Sequence, residues 1–354
     1  MGAGKRIGSA AAVAAAGAAV WAVAVERQLF TLRHHELPVL PTGRAPVRVL
    51  HLSDLHLAPW QRRKMRWVQD LAQLQPDVVV LTGDMLGHRD AIEPLLQTLK
   101  PLISGAAQTV FVHGSNDYYA PRLKNPASYL IEPSTKRKLK RQPDLDTAAL
   151  TRGLVELGAV DLNNKAATGR VRGTDFLWFG MDDPHIKYHR PEQMRAAIAE
   201  LAGQSAGDTD KPIAAKRAGD IGIAKTEPAG VDTAGTVAAP QTGAADSTEP
   251  VRLGVIHAPY QQPLNALVSE QPAVIFAGHT HGGQLRLPIA GALTSNCDLP
   301  TAQARGLSVW HTAHHQAFLH VCAGLGTSIY APARFLCRPE AALITLVAPN
   351  SETT

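Results

Sequence analysis

The amino-acid sequence predicts an α/β fold. Three apolar runs, "VRVLHLSD" (47–54), "DVVVLTGD" (77–84) and "TVFVHGSND" (109–117), read as buried strands that stop on polar residues. Between the first two, "RRKMRWVQDLAQLQP" (62–76) places Trp67, Val68, Leu71 and Leu74 at helical spacing. Strand-like segments resume at "VRLGVIHAPY" (251–260), "PAVIFAGHTHGGQ" (272–284), "FLHVCAGLG" (318–326) and "AALITLV" (341–347). Strands that are apolar throughout and alternate with helices form sheets covered on both faces, and chemistry collects in the loops beyond the strand ends.

The chain opens on the basic "MGAGKR", followed by an uncharged, alanine-dominated run from Ile7 to Val25. That run is about as long as a bilayer-crossing helix needs to be, so residues 1–44 are expected to be an anchor and linker with the membrane as partner. A cleaved signal peptide is the alternative, with "AVA" (22–24) as cleavage site. Lys5 and Arg6 on one side and Arg27 and Arg33 on the other leave the sidedness open. One domain is expected over 45–348. An excursion after Tyr119 carries the basic run Lys136, Arg137, Lys138, Lys140 and Arg141, a solvated stretch or a contact for anionic groups. Residues 202–250, rich in Ala, Gly, Thr, Asp and Pro, read as a disordered insertion, and 349–354 as a tail.

The chain has 354 residues, enough for a substantial core; with 45% hydrophobic and 18% charged residues it is globular rather than disordered. The net charge of +5 is spread too thinly to argue for nucleic acid. Cys297, Cys322 and Cys337 are odd in number and lack CxxC spacing, so neither a disulfide framework nor a thiolate zinc site is indicated.

The chemistry lies at the strand ends. "SDLH" offers Asp54 and His56, "TGD" offers Asp84, "GSND" offers Ser115, Asn116 and Asp117, "IHAP" offers His257, and "GHTHGGQ" offers His279 and His281. Taken singly, an Asp after a strand is usually a turn or helix cap, and an HxH among glycines is as readily a polar loop as a metal site. Five such fragments in one chain, each following an apolar run, exceed coincidence.

The series Asp-x-His, Gly-Asp, Gly-Ser-Asn-Asp, His and Gly-His-x-His resembles the calcineurin-like metallophosphoesterases over roughly residues 47–345, the low-complexity insertion apart. The tail "AGLGTSIYAPARFLCRPEAALITL" (323–346) is similar to a bacterial, membrane-associated branch of that family. The resemblance implies a four-layer α/β/β/α sandwich and a dinuclear centre. Asp54, His56 and His281 would bind one ion, Asp84 would bridge, and His257, His279 and an asparagine would bind the other. It further implies hydrolysis of a phosphodiester or pyrophosphate bond by a metal-bound hydroxide. Carboxylate and imidazole without thiolate suit Mn, Fe or Zn.

One departure matters. The family pattern reads Gly-Asn-His-Asp at the third strand, whereas this chain reads Gly114, Ser115, Asn116, Asp117. Strict alignment puts Ser115 at the ligand position; a one-residue shift puts Asn116 there, the better donor because an amide carbonyl coordinates a hard cation better than a neutral hydroxyl. The usual histidine is missing either way. His185 in "MDDPHIKYH" (181–189) is the candidate to assist the phosphate or donate a proton, so Asn116 and His185 are the residues expected to act in the reaction. His113 is expected to be a buried strand residue, and Tyr118 and Arg286 are weaker candidates for holding phosphate. The expected substrate is a phosphorylated small molecule or a lipid-linked phosphoester, with nucleic acid disfavoured. The competing readings are a catalytically weakened phosphate-binding scaffold and a metal-dependent nuclease. Oligomeric state is not legible.

Overall fold

The computed structural model describes residues 3–121, 142–205, 249–327 and 332–349. Two six-stranded sheets form its body. The first contains β1 (Thr31–Pro38), β2 (Val47–Leu52), β3 (Val78–Thr82), β4 (Gln108–Val112), β5 (Ala159–Asp161) and β14 (Glu340–Val347) in the order β1-β14-β2-β3-β4-β5. The second contains β6 (Lys165–Val171), β7 (Thr174–Met181), β8 (Val251–Ile256), β9 (Val274–Ala277), β12 (Gly306–His311) and β13 (Gln316–Val321) in the order β12-β13-β9-β8-β7-β6. A short hairpin, β10 (Arg286–Leu287) with β11 (Gly291–Ala292), stands apart from both. Strands β2 to β5 run parallel, as do β7, β8, β9 and β13; β14 is antiparallel to β2, and β6 to β7.

Side-chain alternation along the strands explains the layers. Val47 and Val49, Val78 and Val80, and Val110 and Val112 point between the sheets, where they meet Trp178, Leu253, Val255, Phe276 and Phe318. Their neighbours Leu50, Leu52, Val79, Leu81 and Phe111 face outward into a second core, which α2 (Arg62–Asp70), α3 (Ile92–Gly105) and α4 (Thr147–Glu156) close with Val68, Leu95, Leu99, Leu150 and Leu154. A third core joins Phe179, Ile256 and Ile275 to Met194 and Ile198 of α5 (Pro191–Ser205) and to Leu264 and Leu267 of α6 (Gln261–Val268). The layers therefore run helices, sheet, sheet, helices. Burial on both faces is why these strands are nearly unbroken apolar runs.

The expected membrane-crossing helix is not met: among the described residues no helix is long and apolar enough to cross a membrane. Helix α1 (Ala3–Val20) forms over the alanine run, but the α-helix stops at Val20 and continues as a π turn, Trp21–Val25, and a 3-10 turn, Glu26–Gln28. The α-helix takes in Lys5 and Arg6 at its start and ends at Val20, so the uncharged run Ile7–Val25 does not form one continuous apolar helix. The end of this segment packs on the domain instead. Ala22 is buried and its carbonyl accepts from the Arg334 N–H at 3.0 Å, and the buried Glu26 carboxylate accepts from the Trp21 indole at 3.0 Å and from the Cys337 N–H.

Residues 202–205, placed by composition in the low-complexity insertion, instead continue α5 to Ser205, as Leu201, Ala202 and Gln204 are good helix formers. The rest of that insertion to Thr248, the basic run Lys136–Arg141 and residues 350–354 lie outside the described residues.

Candidate metal centre

The polar strand ends converge where the two sheets meet. Asp54 and His56 follow β2, Asp84 follows β3, Asn116 follows β4, His257 follows β8, and His279 and His281 follow β9. All six carboxylate and imidazole residues are buried. They form two clusters, Asp54/His56/His281 and Asp84/His257/His279; within each, one donor atom per residue lies within 4.8 Å of the others. Charged and polar groups almost never sit together in a core without partners.

Their backbone is as unusual as their burial. Asp54 (φ 47°), His56 (φ 38°), Asp84 (φ 50°), His279 (φ 67°) and His281 (φ 51°) all adopt the left-handed region that non-glycine residues rarely enter. Such strain persists only where the surroundings impose it, and it clusters at functional sites. Here interlocking backbone bonds impose it: Asp54 N–H donates to the Gly83 carbonyl and His56 N–H to the Asp84 carbonyl, both at 3.0 Å, and Gly326 N–H to the Asp54 carbonyl at 2.6 Å. Glycine lets the loops close this tightly. A Cβ on Gly278 would fall 2.6 Å from Asp54 Oδ2, and one on Gly114 would fall 2.7 Å from His257 Nε2.

In the first cluster His56 Nε2 and His281 Nε2 are 3.2 Å apart, and Asp54 Oδ1 lies 3.5 Å from His281 Nε2 and 3.9 Å from His56 Nε2. Asp54 Oδ2 is occupied, accepting from Ser53 Oγ at 2.5 Å and from the His279 N–H at 2.9 Å, but the buried Oδ1 has no hydrogen-bond partner. In the second cluster His257 Nδ1 donates to the Thr82 carbonyl at 2.6 Å, which fixes the tautomer and leaves the buried, unpartnered Nε2 directed at Asp84 Oδ1, 3.5 Å away. His279 Nε2 lies 3.2 Å from the Asn296 carbonyl. Asp84 Oδ2 lies 3.6 Å from His56 Nε2, so Asp84 faces both clusters.

These separations exceed good hydrogen bonds, yet the atoms are desolvated and point at common centres. Neutral imidazole nitrogens and carboxylate oxygens in that arrangement fit divalent ions of the Mn, Fe and Zn type, and neither cluster includes a thiolate. For His56, His279 and His281 the electrostatics agree with a neutral ring. Burial raises Asp54 to about 6, with Asp84 adding to the effect and His257 opposing it. Burial lowers His56 to about 4, and burial with neighbouring histidines holds His279 and His281 well below the usual range. Burial acts against ionisation of both Asp84 and His257, but their mutual attraction outweighs it, holding Asp84 well below and His257 well above their ordinary values.

The structure brings Asn116 to this centre. Its backbone N–H and its side-chain Nδ2 donate to Asp84 Oδ1 and Oδ2, each at 2.7 Å. The Ser115 carbonyl instead accepts from the N–H groups of Tyr118 and Tyr119. Asp117 is structural: its carboxylate accepts from the N–H groups of Met85, Leu86 and Gly114 at 2.9–3.0 Å. His185 follows β7; its ring centroid lies 4.7 Å from that of His279, and Nδ1 is 2.9 Å from the Tyr260 hydroxyl. His113, expected within the strand, instead follows β4 and is buried against Thr151, Nε2 to Oγ1 2.8 Å. Tyr118 donates to Asp182 at 2.7 Å, and Arg286 to the Gly282 carbonyl at 3.0 Å.

Sequence reasoning missed three residues here. Asp183 is fully buried with Oδ2 unpartnered, and burial raises it to about 8. Lys64 and Arg334 are buried cations behind the first cluster; burial, with Arg334 and Arg27 nearby, pushes Lys64 down to about 7. A signal for Lys64 was present in its spacing from Val68 and Leu71 on the inward stripe of α2.

Two buried carboxylate–imidazole clusters at strand ends between two sheets are candidate sites for a pair of divalent ions. Residues 47–195 match the family model described as calcineurin-like phosphoesterase. No curated protein sequence matches the chain. Among solved structures it is similar to TT1561 of Thermus thermophilus (8% identity, 79% of this chain and 91% of that one, TM-score 0.39). It is also similar to the phosphopantetheinyl hydrolase of Mycobacterium tuberculosis (11% identity, 88% and 99%, TM-score 0.36). A 5'-nucleotidase precursor, again from Thermus thermophilus, follows (11% identity, 85% and 55%, TM-score 0.39). Likenesses this remote do not bear on substrate.

Proposed function

We propose that the chain hydrolyses a phosphodiester or pyrophosphate bond of a phosphorylated small molecule at a dinuclear centre. Asp54, His56 and His281 would hold one ion, His257, His279 and Asn116 the other, with Asp84 between them. Two bound divalent ions would supply Lewis acidity toward the phosphoryl oxygens and lower the pKa of water toward neutrality. The observation that carries this reading is the convergence of unpartnered, buried Asp54 Oδ1 and His257 Nε2 on two clusters that Asp84 faces at once.

The protein's own groups have separable tasks. Thr82 fixes the His257 tautomer through its carbonyl, and Asn116 orients Asp84 through two N–H bonds. His185, held by Tyr260 beside His279, is the candidate to pass a proton to the leaving oxygen in place of the family's usual histidine.

The test is hydrolysis of bis-p-nitrophenyl phosphate by the full chain with Mn²⁺, beside Asp84→Asn. Turnover by the wild type, reduced in the variant by more than the roughly 10–100-fold typical of ligand-supporting residues, is expected. Equal and negligible rates would favour a phosphate-binding scaffold.

A further inference from the structure

Two buried cations hold the backbone of the first cluster. Lys64 of α2 is 6% exposed, and its Nζ donates to the carbonyl of Leu55, the residue between Asp54 and His56, at 2.7 Å. Arg334 is fully buried. Its Nε donates to the Gly326 carbonyl at 3.0 Å, Nη1 to those of His281 at 3.4 Å and Cys337 at 3.3 Å, and Nη2 to those of Ala323 at 2.7 Å and Gly324 at 3.0 Å. Buried cations are ordinarily paired with carboxylates. Among the described residues these two bond only carbonyl oxygens and the Cys337 sulfur.

The carbonyls they choose are telling. Leu55 lies between two residues in the left-handed region, Asp54 and His56, and His281 is itself in that region. Asp54, His56 and His281 are the residues whose donor atoms form the first cluster. A carbonyl held by a buried donor cannot rotate away without leaving that donor unpartnered in the core.

We propose that Lys64 and Arg334 are positioning residues for the first metal site, holding the Leu55 and His281 carbonyls so that Asp54, His56 and His281 keep the strained backbone that aims their donor atoms at one point. The proposal rests on the reading of the clusters as a metal centre. It also accounts for the absence of a carboxylate partner among the described residues: a carboxylate on either cation would compete with the carbonyls it has to hold.

The experiment is Mn²⁺ titration of the metal-free full chain, followed by electron paramagnetic resonance and calorimetry, for wild type, Lys64→Met, Arg334→Lys and Arg334→Met. The signal abolished by His281→Ala marks the first site. Lys64→Met is expected to weaken that site about tenfold or more while leaving the second unchanged, the scale set by residues that support metal ligands. Arg334→Lys should fall between wild type and Arg334→Met. Methionine keeps the length and helix propensity of lysine, so Lys64→Met carries the test if Arg334→Met does not fold.

Tighter binding in Lys64→Met would show that the charge merely repels the ion and would overturn the proposal. So would a lowered Tm of the metal-free variant with wild-type affinity at both sites. If the wild type itself binds no pair of ions, the metal-centre reading fails first; if it does and Lys64→Met binds equally, the positioning role alone fails.

Discussion

His56 Nε2 faces His281 Nε2 at 3.2 Å in a buried cluster where Asp54 Oδ1 has no hydrogen-bond partner. Burial lowers both imidazoles, His56 to about 4, so at neutral pH two uncharged rings meet a desolvated carboxylate. A cation satisfies all three groups at once. Mn²⁺ at about 100 times its Kd should therefore raise unfolding stability by about 2.7 kcal/mol per site, reversed by a chelator. Thermal unfolding that is the same with Mn²⁺ and with excess chelator would contradict this.

His185 is placed by the Tyr260 hydroxyl beside His279, so its loss should affect chemistry more than assembly of the centre. His185→Ala is expected to lower kcat about 10²- to 10⁴-fold for phosphodiesters with alkoxide leaving groups, and much less for p-nitrophenolate, which departs without a proton. Steady-state rates over a leaving-group series check this; an equal loss across the series would remove His185 as proton donor.

Part of the acid sensitivity should originate away from the metal ligands. His51 and His320 are fully buried between the sheets, Nδ1 to Nδ1 2.8 Å, and His51 Nε2 bonds Thr82 Oγ1 at 2.9 Å. Burial pushes His51 down to about 3, and burial with neighbouring histidines lowers His320 well below the usual value. Because the folded-state pKa lies below the unfolded value, the unfolded chain binds more protons and stability falls as pH drops. The loss begins below about 6.5, the unfolded value, and from His51 alone reaches at most about 1.4 kcal/mol per pH unit until about 3. Denaturant unfolding of the chelated protein between those limits checks the slope, which His320→Leu should flatten; an unchanged slope would place the sensitivity elsewhere.

The clusters were legible because a strand apolar on both faces announces its end by the first polar residue, and five ends offered Asp, Asn or His. The sequence left Ser115 and Asn116 as alternative oxygen donors at the third strand; the contacts made there are N–H donations from Asn116 to Asp84. The roles of Lys64 and Arg334 were not, since backbone carbonyls satisfy them and carbonyls leave no trace in a sequence. The N-terminal run misled for a different reason: length and lack of charge imitate a membrane span, while the α-helix itself ends at Val20 and the segment beyond it packs on the domain.

The most direct test of the metal centre is anomalous diffraction from crystals of the full chain grown with Mn²⁺. Two peaks per chain are expected, one among Asp54, His56 and His281 and one among Asp84, His257 and His279, with Asp84 reaching both. Ordered side chains with no peak at either cluster would contradict the account.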